Sequence, residues 1–374
     1  MNDAIPLALP EFDESERQAL REVLESRRWS VGPQIEAFES EIAAHARCRG
    51  AVGVNSGTTA LTLAMQALGI GRGDEVIVPA FTFVGSVNAV LAAGASPVLV
   101  DVSADTLQID PGAVDAAIGP RTRAVMAVHL YGRAAPIDAL LDLTRARGVK
   151  LIEDACEALG ATCAGQPVGA LGDAGTYAFY PNKSVAAGEG GVVLAQDEDV
   201  LRRCRQLRNQ GFDPRSGTWH ASLPGISARL SEWHAAIARA QLARLDGSMA
   251  RRRQVAESYA ACLAAEARVE PSVPVALAER VAWFTYPIRL RADLASCRDT
   301  VMAGLRQAGI ACNPYFTPVH HLPFHRGRHR SLPTPVSDDV GRRCLALPLH
   351  AGLGGIDVAR ICAALTQLLD RLGR

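Results

Sequence analysis

A chain of 374 residues, 48% of them apolar and 5% aromatic, is long enough for more than one domain and has the composition of an Ala-, Val- and Leu-rich globular core. Its 39 basic and 39 acidic residues cancel, so whole-molecule charge offers no means of capturing nucleic acid or an anionic membrane. No stretch is apolar for long enough to cross a bilayer, no basic segment leads into an apolar one at the N-terminus, and the nine cysteines show neither a CxxC pair nor a metal-ligand spacing, which fits reduced thiols in a cytoplasmic protein without a metal site.

In chain order, the first predicted elements are helices over Phe12–Arg28 and Gln34–Ala46, separated by Trp29-Ser30-Val31-Gly32-Pro33, where the Gly-Pro pair stops one helix and positions the next. Strands are then predicted over Ala51–Val54, Glu75–Val78, Pro97–Val100, Arg123–Val128, Val149–Glu153, Thr176–Tyr180 and Gly191–Ala195. Helices are predicted between several of them, over Thr58–Leu68, Val84–Ala93, Gly112–Ile118 and Ile137–Arg147. Short β-branched runs alternating with helix-length segments predict an α/β domain with a mostly parallel sheet, whose ligands sit beyond the carboxyl ends of the strands. Two more helices follow over Glu232–Arg244 and Ser248–Ala265, broken at Asp246-Gly247, with Arg251-Arg252-Arg253 read as a solvated face or subunit contact. Glu270–Val275 is the predicted linker to a smaller C-terminal unit. That unit has a strand at Trp283–Leu290, a helix at Leu294–Ala308, a Pro/His-rich loop over Asn313–Pro335 and a last helix at Ile356–Leu372. The expected division is a large unit over 1–245 and a smaller one, with its linker helix, over 246–374.

The chemistry should therefore lie just after strands. Tyr177-Ala178-Phe179-Tyr180-Pro181-Asn182-Lys183 delivers one lysine to a glycine-rich turn, Gly188-Glu189-Gly190-Gly191, and the strand before it ends in Glu153-Asp154. A lysine amine and a strand-end carboxylate are the two groups that pyridoxal phosphate (PLP) chemistry needs. The amine forms a Schiff base with the aldehyde, and the carboxylate pairs with the pyridine nitrogen. An unpaired charge at the end of a buried strand is expensive, and a pyridinium N–H would give Asp154 a partner; the alternative is a helix N-cap for Ala155–Leu159. Asn55-Ser56-Gly57-Thr58-Thr59 opens a helix after the first strand, where backbone N–H groups and hydroxyls suit a phosphate ester, or simply cap the helix. Phe83, at another strand–helix junction, could lie flat on a planar cofactor or pack in the core. His129 could touch ring or substrate, or be a satisfied core histidine. Glu189 could be a site acid but reads more as a turn residue, and Cys156, beside Asp154, could lie near the site but reads more as a small buried hydrophobe. Trp219, His220, Tyr315 and His320, with its neighbour His321, lie in the two loops that would meet a substrate.

At these residues the chain resembles the DegT/StrS-type aminotransferases that act on sugars, which are PLP enzymes of fold type I related to aspartate aminotransferase. The resemblance runs from about Pro10 to the C-terminus. It is carried by Val54-Asn55-Ser56-Gly57-Thr58-Thr59-Ala60-Leu61, Gly73-Asp74-Glu75-Val76-Ile77-Val78-Pro79, Val128-His129-Leu130-Tyr131-Gly132, Ile152-Glu153-Asp154-Ala155-Cys156, Phe179-Tyr180-Pro181-Asn182-Lys183, Gly188-Glu189-Gly190-Gly191 and Arg229-Leu230-Ser231-Glu232. It implies a large PLP domain with a mixed, mostly parallel seven-stranded sheet sandwiched by helices, a small α+β C-terminal domain, and a homodimer with active sites at the subunit interface. By position, Lys183 resembles the Schiff-base lysine, Asp154 the pyridine partner, Phe83 the stacking aromatic, and Gly57 and Thr58 part of the phosphate cup. Ser56 belongs with that cup and Arg229 with the substrate contacts. Three positions depart: members often have Ser at Ala178, Gln or His at Glu157 near the cofactor's 3-hydroxyl, and Asn at Ser227, which reaches the neighbouring subunit's phosphate. The implied reaction is transfer of an amino group from glutamate or glutamine to a keto sugar, nucleotide-linked. The alternatives are a cyclitol or other natural-product ketone, or a catalytically silent PLP-binding regulator.

Overall fold

The computed structural model describes residues 4–213, 220–273 and 281–372. Strands alternate with helices through the first half of the chain because apolar runs such as Glu75–Pro79, buried along their whole length, can only be satisfied between two covered faces. The alternation along that strand confirms it. Val76 and Val78 join a core with Leu61, Val87 and Val90, while Ile77 points to the opposite core with Val114, Ile137 and Leu140.

The main sheet has eight strands in the order 50–54, 191–195, 174–178, 150–154, 122–128, 75–79, 96–100, 330–331. Only Gly191–Ala195 runs against the rest: it pairs antiparallel with both Gly50–Val54 and Ala174–Ala178. The other pairings are parallel. The carboxyl ends of the parallel strands and the start of Gly191–Ala195 therefore fall on one edge. Seven of these strands match the expectation. The eighth, Arg330–Ser331, comes from the Pro/His-rich loop and pairs with Val98 and Leu99, covering what would be an open sheet edge.

Other boundaries shift for local reasons. The strand before the lysine ends at Ala178: Phe179 still donates its N–H to Gly190 O, but its carbonyl turns away to accept Ala187 N–H. The helix Leu245–Leu263 runs through Asp246-Gly247 in its first turn. Helices Glu198–Leu207 and Pro335–Arg343 were not anticipated. Asp197 caps the first, and Asp101 accepts the Val336 and Ser337 N–H groups at the start of the second. Val269–Pro271, which overlaps the start of the predicted linker, pairs with Tyr286–Leu290, which pairs in turn with Cys344–Leu347 to give a second, three-stranded sheet. Helices Arg298–Gln307 and Gly355–Arg371 pack with it around Trp283, Ile288, Leu305, Leu345 and Leu365. No helix among the described residues is long and apolar enough to cross a membrane.

One long-range cap ties the N-terminal arm to this frame. The buried Glu232 carboxylate accepts the N–H groups of Gly32, Gln34 and Ile35, each at 3.0 Å, and so satisfies the first turn of helix Pro33–His45, whose own N-cap Gly32 has no side chain. Glu232→Ala should strand three buried donors and lower stability by about 2–4 kcal/mol, read from urea midpoints; a loss below about 0.5 kcal/mol would contradict the cap.

Candidate active site

The edge where the strands converge holds a cavity of about 390 Å³, lined by Ser56, Gly57, Thr58, Phe83, Asp154, Glu157 and Lys183 and by Phe284, Tyr315 and Phe316 from the C-terminal part of the chain. Two glycines let the backbone close around it. A Cβ on Gly57 would lie 2.7 Å from Ala178 Cβ and 2.8 Å from Cys156 Sγ, and one on Gly191 would lie 2.4 Å from Ser56 O. Neither position can carry a side chain while the first helix turn sits against the two neighbouring strands. The Ser56 hydroxyl caps that helix through Thr59 N–H at 3.1 Å, so Ser56 is at once the predicted phosphate-cup residue and an ordinary N-cap.

Lys183 sits in a turn closed by its own N–H to Tyr180 O at 2.9 Å and by Ala187 N–H to Phe179 O at 2.8 Å. Its Nζ lies 4.2 Å from the Phe284 ring centroid, within cation–π range. Phe284 is parallel to Tyr315, with centroids 6.0 Å apart. Tyr315, Phe316 and Phe83 continue the aromatic wall, with centroids 4.7 Å and 5.9 Å apart in turn. Phe83 itself is 55% exposed at the rim.

Asp154 is 6% exposed. Ser86 Oγ donates to its Oδ2 at 2.6 Å and Cys156 N–H to its Oδ1 at 3.2 Å. Among the described residues no cationic side chain lies within ion-pair distance of it, which is unusual for a buried carboxylate. Glu157 is buried and accepts Tyr131 N–H at 3.0 Å. Burial pushes its pKa up, reinforced by Asp154 and only partly opposed by Lys183 and that N–H. Burial and then Asp154 push the Cys156 thiol well up, so it is no nucleophile.

Other expected residues lie elsewhere. His129 is fully buried: Nδ1 accepts Ala135 N–H at 2.9 Å, so Nε2 carries the proton that meets Glu153 Oε2 at 3.0 Å. It is the satisfied core histidine. Glu153 also accepts Gly169, Leu171 and Gly172 N–H groups at 2.7, 2.5 and 2.7 Å. Burial works to raise its pKa, but the His129 bond and the backbone donors prevail and hold it below the usual value. His320 and His321 both meet Asp338 Oδ1, at 2.7 and 2.8 Å, instead of lining the cavity. This trio is a grouping of metal-ligand type, but His320 Nδ1 is buried without a partner, whereas a metal-bound imidazole normally donates its second N–H. Arg229 is turned to Asn209 and Ser227, at 2.8 and 2.9 Å, and Ser227 is exposed. His220 is exposed and off the cavity; Trp219 lies outside the described residues. Ser86, Asn182, Phe284 and Phe316 line the cavity without having been singled out.

The donor set fits PLP. It joins an amine for an aldehyde, a buried carboxylate lacking a cation for a ring N–H, a helix N-terminus for a phosphate and an exposed aromatic for a planar ring. Ala178 supplies no hydroxyl to the phosphate side.

The DegT/DnrJ/EryC1/StrS aminotransferase family model matches residues 10–366. The chain is similar to GDP-perosamine synthase of Caulobacter vibrioides, 40% identical over 367 residues that cover 98% of each chain. It is also similar to GDP-perosamine synthase of Vibrio cholerae, 37% identical over 366 residues covering 96% of this chain and 97% of the other. Its structure matches that of S. venezuelae DesV in complex with a ketimine intermediate, with a TM-score of 0.88, 35% identity, and 97% and 98% of the two chains covered.

Because its folded pKa is depressed, Glu153 stabilises the protein above the unfolded carboxyl pKa, and that contribution is lost as pH falls through the folded value. Glu153→Gln should therefore cost about 2–3 kcal/mol near neutrality, and the gap to wild type should narrow between about pH 5 and about pH 3. Urea titrations across that range check it; a gap that widens in acid would reverse the sign.

Proposed function

The chain belongs to the DegT/DnrJ/EryC1/StrS aminotransferase family, and from that premise we propose that it uses PLP to move an amino group from glutamate or glutamine to a nucleotide-linked keto sugar. The observation that carries the reading is the shared cavity of Lys183 and Asp154, where the carboxylate is buried without a cation among the described residues. The names of the two synthases make a GDP-linked sugar the first substrate to try.

Bound PLP supplies the aldehyde and a ring that withdraws electrons from a substrate carbon. Lys183 Nζ would hold that aldehyde and, once displaced by the amino donor, would be the group placed to move a proton between the donor's α-carbon and the cofactor's C4′ carbon, and to return one to the sugar carbon that becomes aminated. One amine in both directions serves as base and acid, so no separate His-Asp dyad is needed. Asp154 would hold the ring N–H, and Ser86 and the Cys156 N–H keep its carboxylate oriented. The first turn of helix Gly57–Ala67 would hold the phosphate, and Phe83 would be the aromatic offered to the ring. A neutral Glu157 removes the repulsion that a carboxylate would set against the cofactor's phenolate, and the upward push on its pKa supports that state. Tyr315 and its aromatic neighbours form the substrate wall.

Three finer points belong to the same proposal. The protein acts as a homodimer, with Ser227 and Arg229 facing the second copy; their position off the cavity and beside an exposed surface supports this. It works in the cytoplasm, in keeping with nine free cysteines. The smaller unit begins with helix Leu245–Leu263, whose Val255, Tyr259 and Leu263 join the C-terminal core.

Purified Lys183→Ala, reconstituted with PLP, should lose the visible absorbance of lysine-bound cofactor and about a thousandfold or more of transamination. Glutamate alone should convert the wild-type spectrum to that of the aminated cofactor. Unchanged turnover in the variant, or no spectral response to either donor, would sink the assignment. A screen of nucleotide-linked keto sugars with product mass tests the acceptor: amination of free cyclitol ketones but of no nucleotide sugar would replace it.

A further inference from the structure

The run Arg251-Arg252-Arg253, predicted as a solvated face, divides in the structure. Arg251 is exposed and pairs with Glu11 at 2.5 Å, and Arg253 faces Glu257 at 3.8 Å. Arg252 turns inward and is 4% exposed. Among the described residues no carboxylate lies within ion-pair distance of it. Burial pushes its pKa down to about 10, against a weaker upward pull from Glu11.

The guanidinium instead holds two backbone carbonyls. Nη1 donates to Trp283 O at 3.0 Å and Nη2 to Lys183 O at 3.4 Å. These carbonyls belong to the two segments that meet at the amine: Lys183 itself, and Trp283-Phe284, whose Phe284 ring lies 4.2 Å from Nζ. Among the described residues Arg252 Nε, Trp283 Nε1 and both ring nitrogens of the buried His350 have no hydrogen-bond partner, and the His350 pKa is lowered first by burial and then by Arg252. A buried cation without a counter-ion is costly, and here its hydrogen bonds all go to the lysine turn and the chain opposite it. A planar fork of five donors can span two carbonyls in fixed relation; a lysine ammonium, a single point on a flexible stem, cannot.

We propose that Arg252 is a positioning residue for Lys183: a two-pronged clamp that locks the lysine turn to the Trp283-Phe284 segment, so that Nζ is presented to the cavity from one fixed direction against the Phe284 ring. The inference rests on the reading of Lys183 as the cofactor-bearing residue. It adds a residue that never touches substrate or cofactor, working from behind the lysine.

The test compares wild type, Arg252→Met and Arg252→Lys as full-length protein reconstituted with PLP. Arg252→Met loses both the fork and the charge. It should release PLP on dialysis at least about tenfold faster, and the pH midpoint of its lysine-bound absorbance should rise by about half a unit or more, because a cation that disfavours protonation has been removed. The kcat should fall more than the KM for glutamate rises. Arg252→Lys keeps the charge, so its pH midpoint should stay near wild type while PLP release remains fast. A folded Arg252→Met with wild-type PLP release and wild-type pH midpoint overturns the proposal. If Arg252→Met does not fold, wild-type PLP retention and kcat in Arg252→Lys overturn it instead. Should Lys183→Ala itself keep the visible absorbance, the failure lies in the functional reading and not in the clamp.

Discussion

The Asp154 carboxylate is the constraint on which the site depends. It is placed at the end of a central strand, where solvent cannot relieve it, and its two hydrogen bonds, from Ser86 Oγ and Cys156 N–H, fix its orientation without supplying a counter-charge. The sheet makes that placement possible. Parallel neighbours deliver their carboxyl ends to one edge, bringing Ser56, Phe83 and the chain leading to Lys183 beside it. Glu153, one residue earlier, points to the other face and gathers three backbone N–H groups and His129, anchoring the strand end that carries Asp154. Alternation along the strand gives adjacent carboxylates opposite duties, one structural and one facing the cavity.

Much of this was legible in the sequence because buried parallel strands are short apolar runs with abrupt polar ends, and the polar ends are the site. Lys183, Asp154, Glu157, Phe83 and the Ser56-Gly57-Thr58 turn could be found that way or by family resemblance. Ser86 could not: nothing in its helix distinguishes it until the fold brings it to Asp154, 68 residues away in sequence. Phe316 belongs to the C-terminal core and Phe284 to the same part of the chain, and no local pattern links them to Lys183. His129 was left open between two roles, and only its register beside Asp154, set by the pairing of Val128 with that residue, decides it. Arg252 was hidden by its arginine neighbours, yet a signal existed. Ser248, Arg252, Val255, Ala256, Tyr259 and Leu263 follow the spacing of one helix face, and all six are buried. Helix Glu198–Leu207 was passed over because its arginines mask the stripe of Val200, Leu201, Cys204 and Leu207.

The three departures from the family pattern have different weights. Ala178 fills the space against which Gly57 packs, so the Ser56-Gly57-Thr58 end of this cavity has an apolar floor and offers mainly backbone donors. Glu157 is pushed toward the neutral state by its surroundings, which makes it closer in chemistry to an amide than its formula suggests. Ser227 is already engaged by Arg229, so a group reaching it from outside would meet a charged pair of donors and not a lone hydroxyl.

The strand order has a bearing on how the chain is made. Gly50–Val54 finds its sheet partner in Gly191–Ala195, with Gly50 opposite Ala195. On a ribosome, the earliest strand of the sheet must wait for well over a hundred further residues before its ladder can close. Throughout that interval the nascent chain carries an unpaired, almost wholly apolar segment next to the Ser56-Gly57-Thr58 turn. The Ser56 end of the cavity therefore stays open until the hairpin bearing the lysine has emerged, and the edge strand Arg330–Ser331 and the aromatic wall of Phe284, Tyr315 and Phe316 join the frame later still.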